Sequence, residues 1–92
     1  MYDIEKLIEI TQKLRSEDGC PWDKSLTLKS LRTYIIEESY ELIAAIESND
    51  LKNIKEEAGD LLLQIIFISN ICEENNDFNF YDVLQNLAEK LI

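Results

Sequence analysis

The chain has 92 residues, 46% of them hydrophobic, with two glycines, one proline and no histidine. Such a length and so few turn formers exclude a multidomain or all-β protein and leave a single helical domain. Nineteen acids against nine bases give a net charge of -10, a field that opposes nucleic-acid backbones and anionic membranes, so neither is expected as a partner.

Asp3 is placed to cap a first helix, with Tyr2 and Leu7 as a hydrophobic staple, and Ile4, Leu7, Ile8, Thr11 and Leu14 form its i, i+3, i+4, i+7 stripe. This helix is expected to end near Ser16. A loop from Glu17 to Ser25, holding Gly19 and Pro21, leads into a second helix from near Thr27 to near Ser48. Asn49-Asp50 makes a tight turn, and Asp50 serves as N-cap of a third helix running from Leu51 to near Glu74. After a polar loop from Asn75 to Asn79, the fourth helix carries Phe80, Val83, Leu84, Leu87, Ala88 and Leu91 on its apolar face. Short connections favour antiparallel neighbours, so the expected architecture is an all-α, four-helix bundle-like domain spanning residues 1–92.

The third helix is apolar almost all round from Leu61 to Ile68. Such a stretch is expected to be covered on two sides, by its own bundle and by another subunit, which predicts a homodimer or homotetramer. A domain of this size buries only about 60 to 65% of the surface its unfolded chain exposes, so a second copy or a bound ion adds needed stability. No signal peptide precedes Tyr2-Asp3-Ile4 and no apolar run approaches a membrane span, so the chain reads as cytoplasmic. Cys20 and Cys72 are then expected as free thiols, and without histidine they make no zinc site.

The acids of the middle helices carry the chemistry. Leu31, Ile35, Glu38, Leu42 and Ala45 advance in steps of three and four, which puts Glu38 in an otherwise apolar line with Glu41 one turn on. Ile54, Glu57, Leu61, Ile65 and Ile68 do the same for Glu57, with Asp60 three residues further. Two i, i+3 carboxylate pairs are therefore expected to face inward on neighbouring antiparallel helices. Charges so gathered repel strongly in a partly desolvated place, and they must protonate or take up a cation. An all-oxygen donor set suits Mg²⁺, with Mn²⁺ as a substitute, whereas a ferritin-like di-iron site lacks its Glu-x-x-His pairs. The same spacings also describe solvated acidic faces, and spacing alone leaves both readings open for the four. Glu37 and Glu56, off the inward rows, fit the solvated reading, although Glu37 keeps a place as a contact for substrate or a second ion.

Gly19-Cys20-Pro21-Trp22-Asp23-Lys24, then Ser30-Leu31-Arg32, Glu37-Glu38-Ser39-Tyr40-Glu41 and Glu57-Ala58-Gly59-Asp60-Leu61-Leu62-Leu63-Gln64 together resemble the MazG nucleotide pyrophosphohydrolases. The likeness covers nearly the whole chain. Its two-part signature, Glu-Glu-x-x-Glu followed by Glu-x-x-Asp, gains specificity from the Cys-Pro-Trp-Asp segment preceding it. The resemblance implies an all-α, usually dimeric hydrolase that converts a nucleoside or deoxynucleoside triphosphate to the monophosphate and pyrophosphate with magnesium, a role in nucleotide-pool housekeeping. By position, Glu38, Glu41, Glu57 and Asp60 match its metal ligands, and Glu38 or Glu41 is the candidate proton acceptor for an in-line water attack on the α-phosphorus.

Trp22 reads either as an apolar plug over the bundle end or as a functional side chain that stacks on a nucleobase or closes the pocket. Lys24 is expected to meet phosphate, since a basic residue recurs there in the family, and Gly59 in mid-helix is expected to permit close helix approach beside the acids. Family members of this type often continue past the last helix into an Arg-Arg-His-Pro-His segment, whereas this sequence stops at Lys90-Leu91-Ile92, which leaves Lys90 as the basic candidate and two expectations open, a naturally minimal protein or a truncated form of weak activity. The alternative to the enzyme is a non-catalytic or weakly active helical dimer that binds nucleotide or a protein partner.

Overall fold

The computed structural model describes residues 1–92 and contains five helices, α1 Ile4–Leu14, α2 Pro21–Ser25, α3 Leu28–Glu47, α4 Leu51–Glu74 and α5 Phe80–Leu91. Their limits follow from local capping chemistry. Asp3 accepts from the Lys6 N–H at the start of α1, and Asp50 accepts from the Asn53 N–H at 3.2 Å at the start of α4. Thr27 with Ser30, and Asn79 with Asp82, form reciprocal capping boxes that open α3 and α5. Asn49 (φ 59°) and Asn76 (φ 61°) take the left-handed conformation just past α3 and α4. In both places the next N–H reaches back to a carbonyl of the last turn, Asp50 to Ala45 and Asp77 to Cys72, so asparagine does the work more often done by glycine.

The segment expected to be an unbroken loop from Glu17 to Ser25 contains the short helix α2 instead. Pro21 at its first turn has no N–H to leave unbonded, and its fixed φ suits helix entry, which is why a turn-like sequence winds up here. Gly19 precedes it where any Cβ would collide with the Lys13 and Leu14 carbonyl oxygens, so the glycine lets the chain pass tightly over the end of α1.

The chain divides into two compact units, Met1–Leu26 with Ile66–Ile92, and Thr27–Ile65. In the first, Ile8, Ile66 and Phe80 form a buried cluster with Ile4 packed against it. Asn70, 2% exposed, donates a 2.7 Å bond to the Thr11 hydroxyl, whose own donor points back to the carbonyls of Leu7 and Ile8. Arg15 ties three helices of this unit together. Its Nε and Nη2 grip Glu74 at 2.8 and 2.9 Å, while Nη1 donates to the backbone oxygens of Asp23 and Leu26 at 2.7 and 3.0 Å. Cys20 and Cys72 are free thiols, as expected.

The second unit is an αα-hairpin of α3 and the first part of α4, turned through Ser48-Asn49-Asp50. Leu31 and Ala45, at 0% and 1% exposure, anchor the inward row of α3. The exposed apolar surface lies elsewhere than expected. Ile36, Tyr40, Ile43 and Ile46 form an open stripe along α3, each at least half exposed, whereas the all-apolar run of α4 leaves only Leu62 and Ile65 at 38%. No helix is long and apolar enough to cross a membrane.

Candidate metal centre

The hairpin brings Glu38 and Glu41 of α3 against Glu57 and Asp60 of α4, with one carboxylate oxygen from each lying within 4.8 Å of the others. The convergence follows from the fold of the chain. Both pairs are spaced i, i+3, so each presents its acids on one side of its helix, and the antiparallel turn sets the two sides face to face.

The four are not equally placed. Glu38 and Glu57 are half-buried, and each has one oxygen, Oε2, that is buried without a hydrogen-bond partner. Glu41 and Asp60 are exposed, which corrects the expectation that all four face inward. The physical reason lies in helical geometry: a residue three positions after an inward one is rotated roughly 60° around the axis and falls at the rim of the contact.

Electrostatics agree with the geometry. The hydrogen bond that Glu57 shares with Glu41, then its own burial, then the charges of Glu41, Asp60 and Glu38 push its carboxyl up to about 7 from 4.5. Glu38 is also raised, first by burial and then by the charges of Glu41 and Asp60 and the hydrogen bond with Glu41, with a smaller contribution from Glu37. Every charge acting on these two groups is another carboxylate. Buried acceptors without donors, surrounded only by like charge, are what a hard divalent cation would satisfy, and the all-oxygen donor set fits Mg²⁺ or Mn²⁺.

The other sequence-predicted residues are not part of this cluster. Glu37 is exposed on α3 and reaches the group only through its charge on Glu38. Trp22 and Lys24 on α2 and Lys90 in the last turn of α5 are exposed side chains of the other unit. Trp22, 53% exposed, is therefore not a buried plug, because the five-residue α2 carries no buried residue at all. Gly59 needs correction too: a Cβ there meets nothing within 4 Å, so no close helix approach depends on it. Its position, next to the exposed Asp60, points away from the contact between the helices.

Two residues escaped the sequence reading. Arg15 has no local signal, since its partner Glu74 is 59 positions away. Gln64, buried at 8% exposure with an unpartnered Oε1, had one available signal, a single amide inside the apolar run from Leu61 to Ile68.

The family model of the MazG nucleotide pyrophosphohydrolase domain matches residues 26–92, and the chain belongs to that family. Among its relatives is the nucleoside triphosphate pyrophosphohydrolase/pyrophosphatase MazG of Thermotoga maritima, 49% identical over 89 residues, covering 97% of this chain and 35% of the relative. The nucleoside triphosphate pyrophosphohydrolases of Escherichia coli and Mycobacterium tuberculosis are each 39% identical over 92 residues, covering 99% and 95% of this chain and 35% and 28% of the relatives. The chain thus spans about a third of the length of these curated relatives.

Proposed function

We propose that this chain acts as a magnesium-dependent nucleoside triphosphate pyrophosphohydrolase, converting a nucleoside or deoxynucleoside triphosphate and water to the monophosphate and pyrophosphate, in keeping with a nucleotide-pool role. The observation that carries the reading is the meeting of four carboxylates within 4.8 Å, two of them with buried, unpartnered oxygens. The relatives, which are nucleoside triphosphate pyrophosphohydrolases, supply the substrate class.

In this reading Glu38 and Glu57 hold the cation from the half-buried side and Glu41 and Asp60 from the rim, where the site stays open to a triphosphate. The bound cation supplies positive charge to a triphosphate that the protein's own field repels. Water adds to the α-phosphorus as the α–β anhydride bond breaks, pyrophosphate leaves, and the proton passes to Glu38 or Glu41. Trp22, Lys24, Glu37 and Lys90 are the proposed contacts for the substrate.

The exposed stripe of Ile36, Tyr40, Ile43 and Ile46 supports a homodimer or homotetramer as the working form. Incubation with a panel of triphosphates and Mg²⁺ tests the activity. Pyrophosphate as product is expected, and Glu38→Gln is expected to lower turnover by roughly 10²–10⁴-fold. Full turnover in that variant, or release of single phosphate only, overturns the assignment. A protein that binds nucleotide without releasing pyrophosphate is instead the non-catalytic helical module.

A further inference from the structure

Gln64 is the third side chain with a buried oxygen that has no donor, and the four-carboxylate cluster holds the other two such oxygens, Oε2 of Glu38 and of Glu57. All three belong to the same hairpin. Gln64 follows Asp60 by four residues and Glu57 by seven on α4, so the three project from one side of that helix.

No hydrogen bond within the fold accounts for the Gln64 Oε1. The neighbouring positions Leu61, Leu62, Leu63, Ile65 and Ile66 are apolar, and an unbranched apolar residue of similar volume would fill the same space without stranding a carbonyl oxygen. A buried acceptor lacking a donor is costly to keep, and it becomes favourable where something polar arrives to meet it. On this hairpin the arriving group is the hydrated cation. Magnesium keeps several of its waters when bound by a few carboxylates, and each of those waters carries protons that need acceptors. A neutral amide accepts them without adding a fifth negative charge to a cluster already strained by like charge.

We propose that Gln64 is a positioning residue of the cation site, its Oε1 accepting a hydrogen bond from the hydration shell of the divalent ion held by Glu38, Glu41, Glu57 and Asp60. The proposal rests on the metal reading of those four acids.

The test is calorimetric titration of the metal-free full chain with Mg²⁺ at pH 8, together with its unfolding midpoint, for wild type, Gln64→Met and Gln64→Glu. In Gln64→Met the affinity for Mg²⁺ falls about 10- to 100-fold, the usual loss when an outer-shell partner is removed. The metal-free midpoint of the same variant stays level or rises, because the stranded oxygen is gone. Gln64→Glu has a lower metal-free midpoint and gains more from saturating Mg²⁺ than wild type does. Wild-type affinity in Gln64→Met overturns the role of Gln64 and leaves the four ligands standing, and so does an affinity loss that merely tracks a loss of stability. Should Gln64→Met fail to fold, the Gln64→Glu shift decides, and a Mg²⁺ gain no larger than that of wild type overturns the proposal. A folded wild type that takes up no Mg²⁺ overturns the reading of the four acids and the role of Gln64 with it.

Discussion

Glu57 is the residue on which the acid–base behaviour of the site turns. Its carboxyl binds a proton up to about 7 in the fold, against 4.5 ordinarily. The folded chain therefore holds this proton more tightly than the unfolded chain. The stability so gained is complete below the ordinary carboxylate value and is lost as pH rises through about 7. Metal-free protein is accordingly expected to melt at a lower temperature at pH 8 than at pH 5.5, read by circular dichroism in the presence of a chelator. Glu74, whose carboxyl is lowered by its hydrogen bond to Arg15, has the opposite sign: its contribution is present above the ordinary carboxylate value and lost as pH falls below it. Both of the chosen pH values lie above the range in which Glu74 titrates, so Glu74 does not contribute to the difference. Saturating Mg²⁺ is expected to remove the decline, and its addition near pH 7 to release protons that a pH-indicator dye records. Glu57→Gln should raise the metal-free melting temperature while abolishing Mg²⁺ uptake, since it removes one of the crowded charges and one of the ligands together.

The helices show the difference between a glycine that is needed and one that is not. Gly59→Ala adds a methyl group in open space on α4 and is expected to stabilise the fold by about 1 kcal/mol, from intrinsic helix propensity. Gly19→Ala drives a Cβ into backbone carbonyls at the end of α1 and is expected to destabilise by about 1–3 kcal/mol. Urea unfolding of the two variants separates these signs. Arg15 is the comparable element-scale contact: a side chain 8% exposed that joins α1 to α4 and to the backbone of α2. Lysine cannot reproduce its planar fork, so Arg15→Lys is expected to lose about 1–3 kcal/mol, again by urea unfolding. Such a loss would mark Arg15 as the clamp on the Pro21–Ser25 helix that carries Trp22 and Lys24.

At the scale of the molecule, the chain combines a net charge of -10 with an apolar stripe left open on α3. Strong like charge keeps copies apart unless enough apolar surface is buried between them. Tyr40 at 70% and Ile43 at 50% exposure sit in the middle of that stripe, so Ile43→Lys is expected to yield monomers in sedimentation velocity. Wild type should associate, and its unfolding midpoint should climb with protein concentration. A midpoint independent of concentration, with a monomeric wild type, would sink the oligomer.

The limits of the four longer helices, the caps at Asp3 and Asp50, and the pairing of Glu38 and Glu41 with Glu57 and Asp60 across one hairpin were legible in the sequence, because capping and helical periodicity act over three or four residues and leave their pattern in the order of side chains. The exposure of Glu41 and Asp60, the freedom around Gly59, the stranded oxygen of Gln64 and the grip of Arg15 on Glu74 were decided by the tertiary structure alone. Each depends on which atoms of distant residues arrive at one place, and burial, desolvation and donor counting have no value until that arrival has happened.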